Sequence, residues 1–200
     1  MRRSIIYRNL ELYRLVMNLL YKGRYRARFE RVCALIRATD STVLELCFGD
    51  VAVAEDCRRH GKRWTGLDLS DVFVAHAVGR GFDARQADIL QAAAWPASDL
   101  CIMMGSLYHF KAHLPALFRR IHDTSPRFVL SEPVRNWTHA NGFCRFLARA
   151  LTCAGTREET FRFDEAALTQ TLEELKAESG FEYRVVHVDR DMIVEVVWSS

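Results

Sequence analysis

The feature that most restricts the fold of this chain lies close to its end. Two apolar segments, Phe181–Val188 and Met192–Trp198, are separated only by Asp189-Arg190-Asp191. Three residues cannot carry a chain back to begin a parallel strand, so these segments are expected to form an antiparallel hairpin. The preceding chain has another rhythm. Strand-like runs at 42–48, 63–68, 82–87, 99–105 and 127–132 alternate with helical stretches at about 50–59, 70–79 and 111–122. A final helix, Asp164–Ser179, leads into the hairpin. Such alternation predicts a mostly parallel sheet covered by helices on both faces, an α/β fold of three layers. Right-handed crossovers then gather the strand C-termini on one edge, where sheets of this kind bind ligands.

Ahead of the sheet, Ile5, Ile6, Leu12, Val16, Leu19 and Leu20 recur at helical spacing over residues 4–22. Phe29, Val32, Cys33 and Ile36 do the same over 24–37, after Gly23. Residues 1–37 hold ten Lys/Arg against Glu11 and Glu30, a net +8 in a chain whose total is +3. Such a basic arm suits either a solvated helix face or an anionic partner. At 200 residues, half of them hydrophobic, the chain is sized for one core. One domain, 1–200, is expected: a helical cap over 1–38, a core over 40–200 and a lid-like insertion at about 134–163. The insertion carries Trp137, Phe143, Phe146 and Phe161 among Arg135, Arg145 and Arg149. Six cysteines at 33, 47, 57, 101, 144 and 153 lack paired spacing, which predicts reduced thiols and a cytoplasmic protein. No apolar run reaches the roughly 18–20 residues that span a bilayer, and no secretory leader is expected.

Polar signals stand at successive strand ends. Glu45 and Gly49 close the first, Asp68 the second and Asp88 the third, while Gly105 to His109 follow the fourth. Each alone reads as readily as a helix cap. Together they occupy one edge in the order a nucleoside requires. Gly49 permits close backbone approach at a helix N-terminus. Asp68, 19 residues after Gly49, is placed to accept ribose hydroxyls, and Asp88 to accept from an adenine amino group. His109 and His113 lie i, i+4 apart, but no third ligand presents itself and no metal is expected.

On these residues the chain resembles the class I S-adenosylmethionine-dependent methyltransferases. Val43-Leu-Glu-Leu-Cys-Phe-Gly-Asp50 resembles the family's first motif, with Cys47 and Val51 in place of glycines. Gly66-Leu-Asp-Leu-Ser70 resembles the segment with the ribose-binding acid, and Ala87-Asp-Ile89 the adenine-binding turn. Asp99 to Phe110 resembles the fourth-strand motif, and the hairpin the family's reversed last strand. The resemblance covers about residues 40–198. It implies a Rossmann-like three-layer sandwich with a seven-stranded, mostly parallel sheet, an antiparallel C-terminal hairpin and an N-terminal helical cap. S-adenosylmethionine is the implied cofactor, with Glu45, Cys47, Phe48, Gly49, Asp68, Leu69, Asp88, Ile89, Met104, Gly105 and Tyr25 around it.

The same resemblance implies methyl transfer to oxygen or nitrogen of a small-molecule acceptor, with specialised metabolism as the expected setting. His109 is the expected base, its rival reading being a histidine that only orders its loop. Tyr108, His109, Glu132, Asn136 and Trp137 are expected at the acceptor. The missing glycines argue against a nicotinamide cofactor, whose phosphate-binding loop depends on all three. The stretch Met104-Gly-Ser-Leu-Tyr-His109 lacks the signature of amino-group DNA methyltransferases, so no nucleic-acid partner is expected; the assembly state stays open, a homodimer included. Two alternatives stay open: a lyase or cyclase reaction on the same cofactor, and a non-catalytic scaffold on this fold.

Overall fold

The computed structural model describes residues 10–135 and 161–198. Its elements in chain order are α1 (Leu10–Leu20), α2 (Tyr25–Cys33), β1 (Thr42–Leu46), α3 (Ala52–Arg59), β2 (Arg63–Asp68), α4 (Asp71–Gly79) and β3 (Asp83–Gln86). There follow β4 (Leu100–Met104), a 3-10 helix (Leu107–His113), α5 (Leu114–Thr124), β5 (Arg127–Pro133), α6 (Glu165–Ser179), β6 (Phe181–Val188) and β7 (Asp191–Trp198). The sheet has seven strands in the order β3-β2-β1-β4-β5-β7-β6. β1 to β5 pair in parallel, and β7 runs antiparallel to both β5 and β6.

Alternation along each strand divides the core. Val43, Leu100, Ile102, Val129 and Ile193 face α2, α3 and α4 through Phe29, Val32, Val53, Phe73 and Ala77. Their neighbours Leu44, Cys101, Met103, Phe128, Leu130 and Val194 face α5 and α6 through Leu117, Phe118, Ile121, Leu168 and Leu172. Strands apolar on both faces are what a sheet between two helical layers requires. At Gly180 the backbone takes φ 66°, which ends α6, while the Asp164 carboxylate accepts the Ala167 N–H at the other end.

Three boundaries differ from the sequence reading. β1 stops at Leu46 because Cys47 takes a left-handed φ of 55°. The hairpin turn is tighter than three residues: Asp191 already pairs with Pro133 as the first residue of β7. The stretch expected as one helix from Lys111 is a 3-10 helix that begins at Leu107 and yields to α5 at Leu114, with Pro115 in the first turn of α5.

The N-terminal edge of the sheet is fastened by charge. Arg127 at the start of β5 donates from Nη1 to both Asp40 oxygens at 2.8 and 2.7 Å, and from Nη2 to Glu195 at 2.7 Å. Arg37 and Arg184 also bond Glu195, at 2.8 and 2.7 Å. Burial alone would raise the Glu195 carboxyl; hydrogen bonds from Arg127 and Arg184 outweigh it and hold the group below its ordinary value. Nearby, Asp99 accepts from the Ser41 and Thr42 backbone and the Thr42 hydroxyl, which aligns the starts of β1 and β4.

Candidate functional site

The strand order reverses between β1 and β4, the position where an open parallel sheet leaves a crevice at its C-terminal edge. The loop leaving β1 turns there on two left-handed residues, Cys47 and Gly49 at φ 55° and 57°. Cys47 donates its N–H to the Leu67 carbonyl at 2.7 Å, which holds the loop against the end of β2. Burial, and then the charge of Asp68, push the Cys47 thiol well up, so it is a neutral side chain rather than a nucleophile. A β-branched residue cannot adopt this φ without strain. Cys47→Val is expected to cost about 2 kcal/mol, roughly 5 °C in Tm, while Cys47→Gly keeps the fold and the loop. Thermal melts of the two variants test this, and an unchanged Tm for the valine variant would refute it.

Asp68 ends β2 facing this loop. Its Oδ2 accepts the Gly49 N–H at 3.2 Å and its Oδ1 the Ser70 N–H at 2.7 Å, with the residue 8% exposed. The next side chain, Leu69, is 56% exposed beside it. Asp88 follows β3 in a turn: its Oδ1 accepts the Leu90 N–H at 3.0 Å, and Ala87 N–H donates to the Asp68 carbonyl at 2.9 Å. Ile89 is buried behind it. Arg120 of α5 holds this turn by donating to the Ile89 carbonyl at 3.0 Å and to that of Ala92. Met104, almost buried, and Gly105, at φ 68°, close β4 on the other side of the reversal.

Several residues expected at ligands are buried and make contacts within the fold. Glu45 is fully buried in β1, where its Oε2 accepts the Trp64 indole N–H at 2.9 Å. Gly66 pairs with Glu45 across β1 and β2, and a Cβ there would overlap the Trp64 indole, so glycine lets the ring lie across the strand. Burial raises the Glu45 carboxyl well above its usual range. The Phe48 ring packs edge-on against Trp64 at 5.2 Å. Tyr25 is buried in α2 between Tyr21 and Phe29, at ring distances of 5.4 and 5.0 Å. Phe48 and Tyr25 belong with Trp64 to the apolar cluster that packs the cap and α3 against the sheet, and Glu45 satisfies the indole N–H buried within it.

Glu132 was expected to open towards the crevice and is instead fully buried; its Oε2 accepts the Leu107 N–H at 3.0 Å and its Oε1 has no partner. It thereby holds the 3-10 helix that presents Tyr108 and His109. Burial pushes its carboxyl up to about 8, against the pull of the Leu107 N–H. In the unfolded chain the group titrates at its ordinary carboxyl value, so the fold keeps a proton that the unfolded chain has released. Stability contributed this way is complete below about pH 4.5 and is lost as pH rises towards 8. Glu132→Gln carries no such proton. Its Tm is expected to gain on the wild type across that window, by roughly 5 °C or more. Parallel Tm–pH curves for the two proteins would count against this account.

His109 is exposed and its ring lies 3.9 Å from that of Tyr108, tilted by 41°. Asn136 and Trp137 lie outside the described residues, as does most of the expected lid. Among the described residues, no His, Cys, Asp and Glu cluster could hold a metal, and no helix is long and apolar enough to cross a membrane. Cys33, Cys47, Cys57 and Cys101 are free thiols.

Sequence reasoning missed how the cap is fastened. Arg14 of α1 bonds both oxygens of Asp50 in the β1 loop, each at 3.0 Å. Asp191 at the start of β7 is met by Tyr21 Oη at 3.0 Å, Ser131 Oγ at 3.2 Å and Arg28 Nε at 2.6 Å. Arg28 is 6% exposed and lies so close over Gly105 that a Cβ there would meet its guanidinium. The one sign in the sequence was an arginine on the apolar face of α2, beside Phe29 and Val32.

No protein-family model matches the sequence, and no curated protein matches it. Solved structures do. Human N-acetylserotonin methyltransferase, in complex with SAM, is similar over 98% of this chain with a TM-score of 0.67 and 15% identity. The mitomycin 7-O-methyltransferase MmcR is similar over 94%, with a TM-score of 0.61 and 16% identity. The chain spans 58% and 57% of those two proteins' lengths. Magnesium protoporphyrin IX methyltransferase from Synechocystis PCC 6803, with bound SAH, is similar over 88% of this chain and 83% of its own, with a TM-score of 0.63 and 15% identity. The strand order, the reversed β7 and these likenesses agree: the chain has the fold of the class I S-adenosylmethionine-dependent methyltransferases.

Proposed function

We propose that the crevice binds S-adenosylmethionine and that the protein transfers its methyl group to a small-molecule acceptor. The observation that carries this reading is the convergence of Asp68, Asp88 and the left-handed Cys47–Gly49 loop on one sheet edge. The donor set suits an adenosyl ligand. Asp68 supplies acceptors for ribose hydroxyls, Leu69 and Ile89 supply apolar surface for a purine, and Asp88 accepts from its amino group. Towards β4 and β7, Arg28 and Tyr21 are both held on Asp191 and brace the crevice beside Gly105. The structural neighbours named with SAM or SAH support the same assignment.

The cofactor supplies an electrophilic methyl group on a sulfonium, so the protein has chiefly to align an acceptor and exclude water. Gly105 and the 3-10 helix bring Tyr108 and His109 to the mouth beside the fourth strand. In this reading His109, exposed on that helix, takes the acceptor's proton. Glu132 acts one step back, through the Leu107 N–H, by fixing the helix that carries both side chains.

Calorimetric titration with S-adenosylhomocysteine tests the reading. Saturable binding in the micromolar range is expected, and S-adenosylhomocysteine should accumulate when acceptors are turned over. Methylthioadenosine as product would indicate lyase chemistry, and absence of cofactor binding would leave a scaffold.

A further inference from the structure

Helix α1 is apolar on two sides. Met17 packs against the core cluster that joins the cap to the sheet, and Tyr21, four residues on, is buried in it. Arg14 turns to the same side and bonds Asp50. Leu15 and Leu19, also four apart, form a line along the other side, and each is 67% exposed. The core therefore does not account for leucine at either position.

The turn that ends α1 sets cations beside these leucines. Lys22 donates its N–H to the Leu19 carbonyl at 3.1 Å and Gly23 to that of Asn18 at 2.8 Å, so the chain folds back at once. Arg24 in this turn and Arg26 at the start of α2 are exposed. Three arginines of the cap bond acids of the core: Arg14 on Asp50, Arg28 on Asp191 and Arg37 on Glu195. The other basic residues of the first 37 outnumber the only two acids there, Glu11 and Glu30. Those two lie 3.6 Å from Arg14 and Arg26 respectively. The segments outside the described residues do not reverse this sign. Residues 1–9 hold Arg2, Arg3 and Arg8 and no acid, and residues 136–160 hold three arginines against Glu158 and Glu159.

An apolar line with cations at its end matches the surface of an anionic bilayer. The acyl boundary takes the leucines while the headgroup phosphates meet the arginines. A second copy of the chain fits less well. Two leucines fall far short of the roughly 800 Å² per partner that a stable interface buries, and the contact would set one basic cap against another. Nucleic acid would use the cations and leave the leucines in water. At 11 residues α1 is too short to cross a bilayer and long enough to lie on one.

We infer that the cap is a docking surface for anionic phospholipid, with α1 in the plane of the interface, Leu15 and Leu19 inserted, and Arg24 and Arg26 at the headgroups. The inference does not depend on methyl transfer, and its test needs no cofactor. The full chain is sedimented with sucrose-loaded vesicles of equimolar phosphatidylglycerol and phosphatidylcholine, and with vesicles of phosphatidylcholine alone. Binding to the anionic vesicles should be at least about tenfold tighter, as two cations near a charged surface would give. Leu15→Gln and Leu19→Gln keep a good helix former and should each weaken that binding about tenfold. Arg24→Gln with Arg26→Gln should also weaken it about tenfold while leaving the weak binding to neutral vesicles unchanged.

These side chains are exposed, so circular dichroism and thermal melts of the variants should match the wild type. The arginine pair lies outside α1 and keeps the test decisive if a leucine variant does not fold. Equal binding to both kinds of vesicle, or to neither, would overturn the inference. So would leucine variants that bind anionic vesicles as tightly as the wild type, since cations alone would then make the contact, as they would with nucleic acid. A wild-type dimer in sedimentation velocity that either leucine variant dissolves would assign the face to a second copy instead.

Discussion

Asp68→Ala is expected to weaken S-adenosylhomocysteine binding about 100-fold, the equivalent of losing two hydrogen bonds to a charged group. The geometry explains why so much rests on one side chain. The two Asp68 oxygens already hold the Gly49 and Ser70 N–H groups, which define the mouth of the β1 loop and the start of α4. Alanine would remove the ribose acceptors and also free the loop that the adenosyl group must approach. Asp68→Asn keeps one oxygen and should therefore fall between the two, near tenfold by the same measure. The check is a calorimetric titration of all three proteins under one buffer and salt condition. An alanine variant that binds as tightly as the wild type would remove the ribose-binding role.

The second large effect is on stability. Arg127→Met is expected to destabilise the protein by about 3–5 kcal/mol, because breaking a buried ion pair leaves charge without compensation. Asp40 and Glu195, 4% and 2% exposed, would then face each other's side of the sheet with their main cation gone. Arg37 and Arg184 still reach Glu195, so Asp40 is the carboxylate left worst placed. For a chain of this length the loss corresponds to roughly 10 °C in Tm. Chemical or thermal denaturation measures it. S-adenosylhomocysteine affinity of the folded variant should hardly change, because Arg127 lies at the sheet edge opposite the crevice. A drop in affinity at unchanged Tm would contradict this division between the two edges.

Much of the frame was legible in the chain itself. The short gap before Asp191 demanded an antiparallel pair, and strands apolar on both faces demanded helices on both sides. Asp68, Asp88 and Gly49 were legible as an edge because strand ends of a parallel sheet converge whatever fills the core. Cys47 was visible as a departure, but its backbone φ was not, since a cysteine carries no signal for a left-handed turn.

What only the tertiary structure decided was which polar groups face the crevice and which lie beneath it. Glu45 and Glu132 both follow the strand pattern of site residues, yet both are sealed, one against Trp64 and the other against Leu107. Arg14, Arg28 and Arg127 are alike in sequence as arginines among apolar neighbours. Their roles differ because Asp50, Asp191 and Asp40, distant in the chain, come to lie opposite them. Local sequence sets periodicity and turns, which depend on neighbours a few residues away. Burial and pairing of a charge depend on elements separated by up to 170 positions, as between Tyr21 and Asp191, and only the packed chain brings those together.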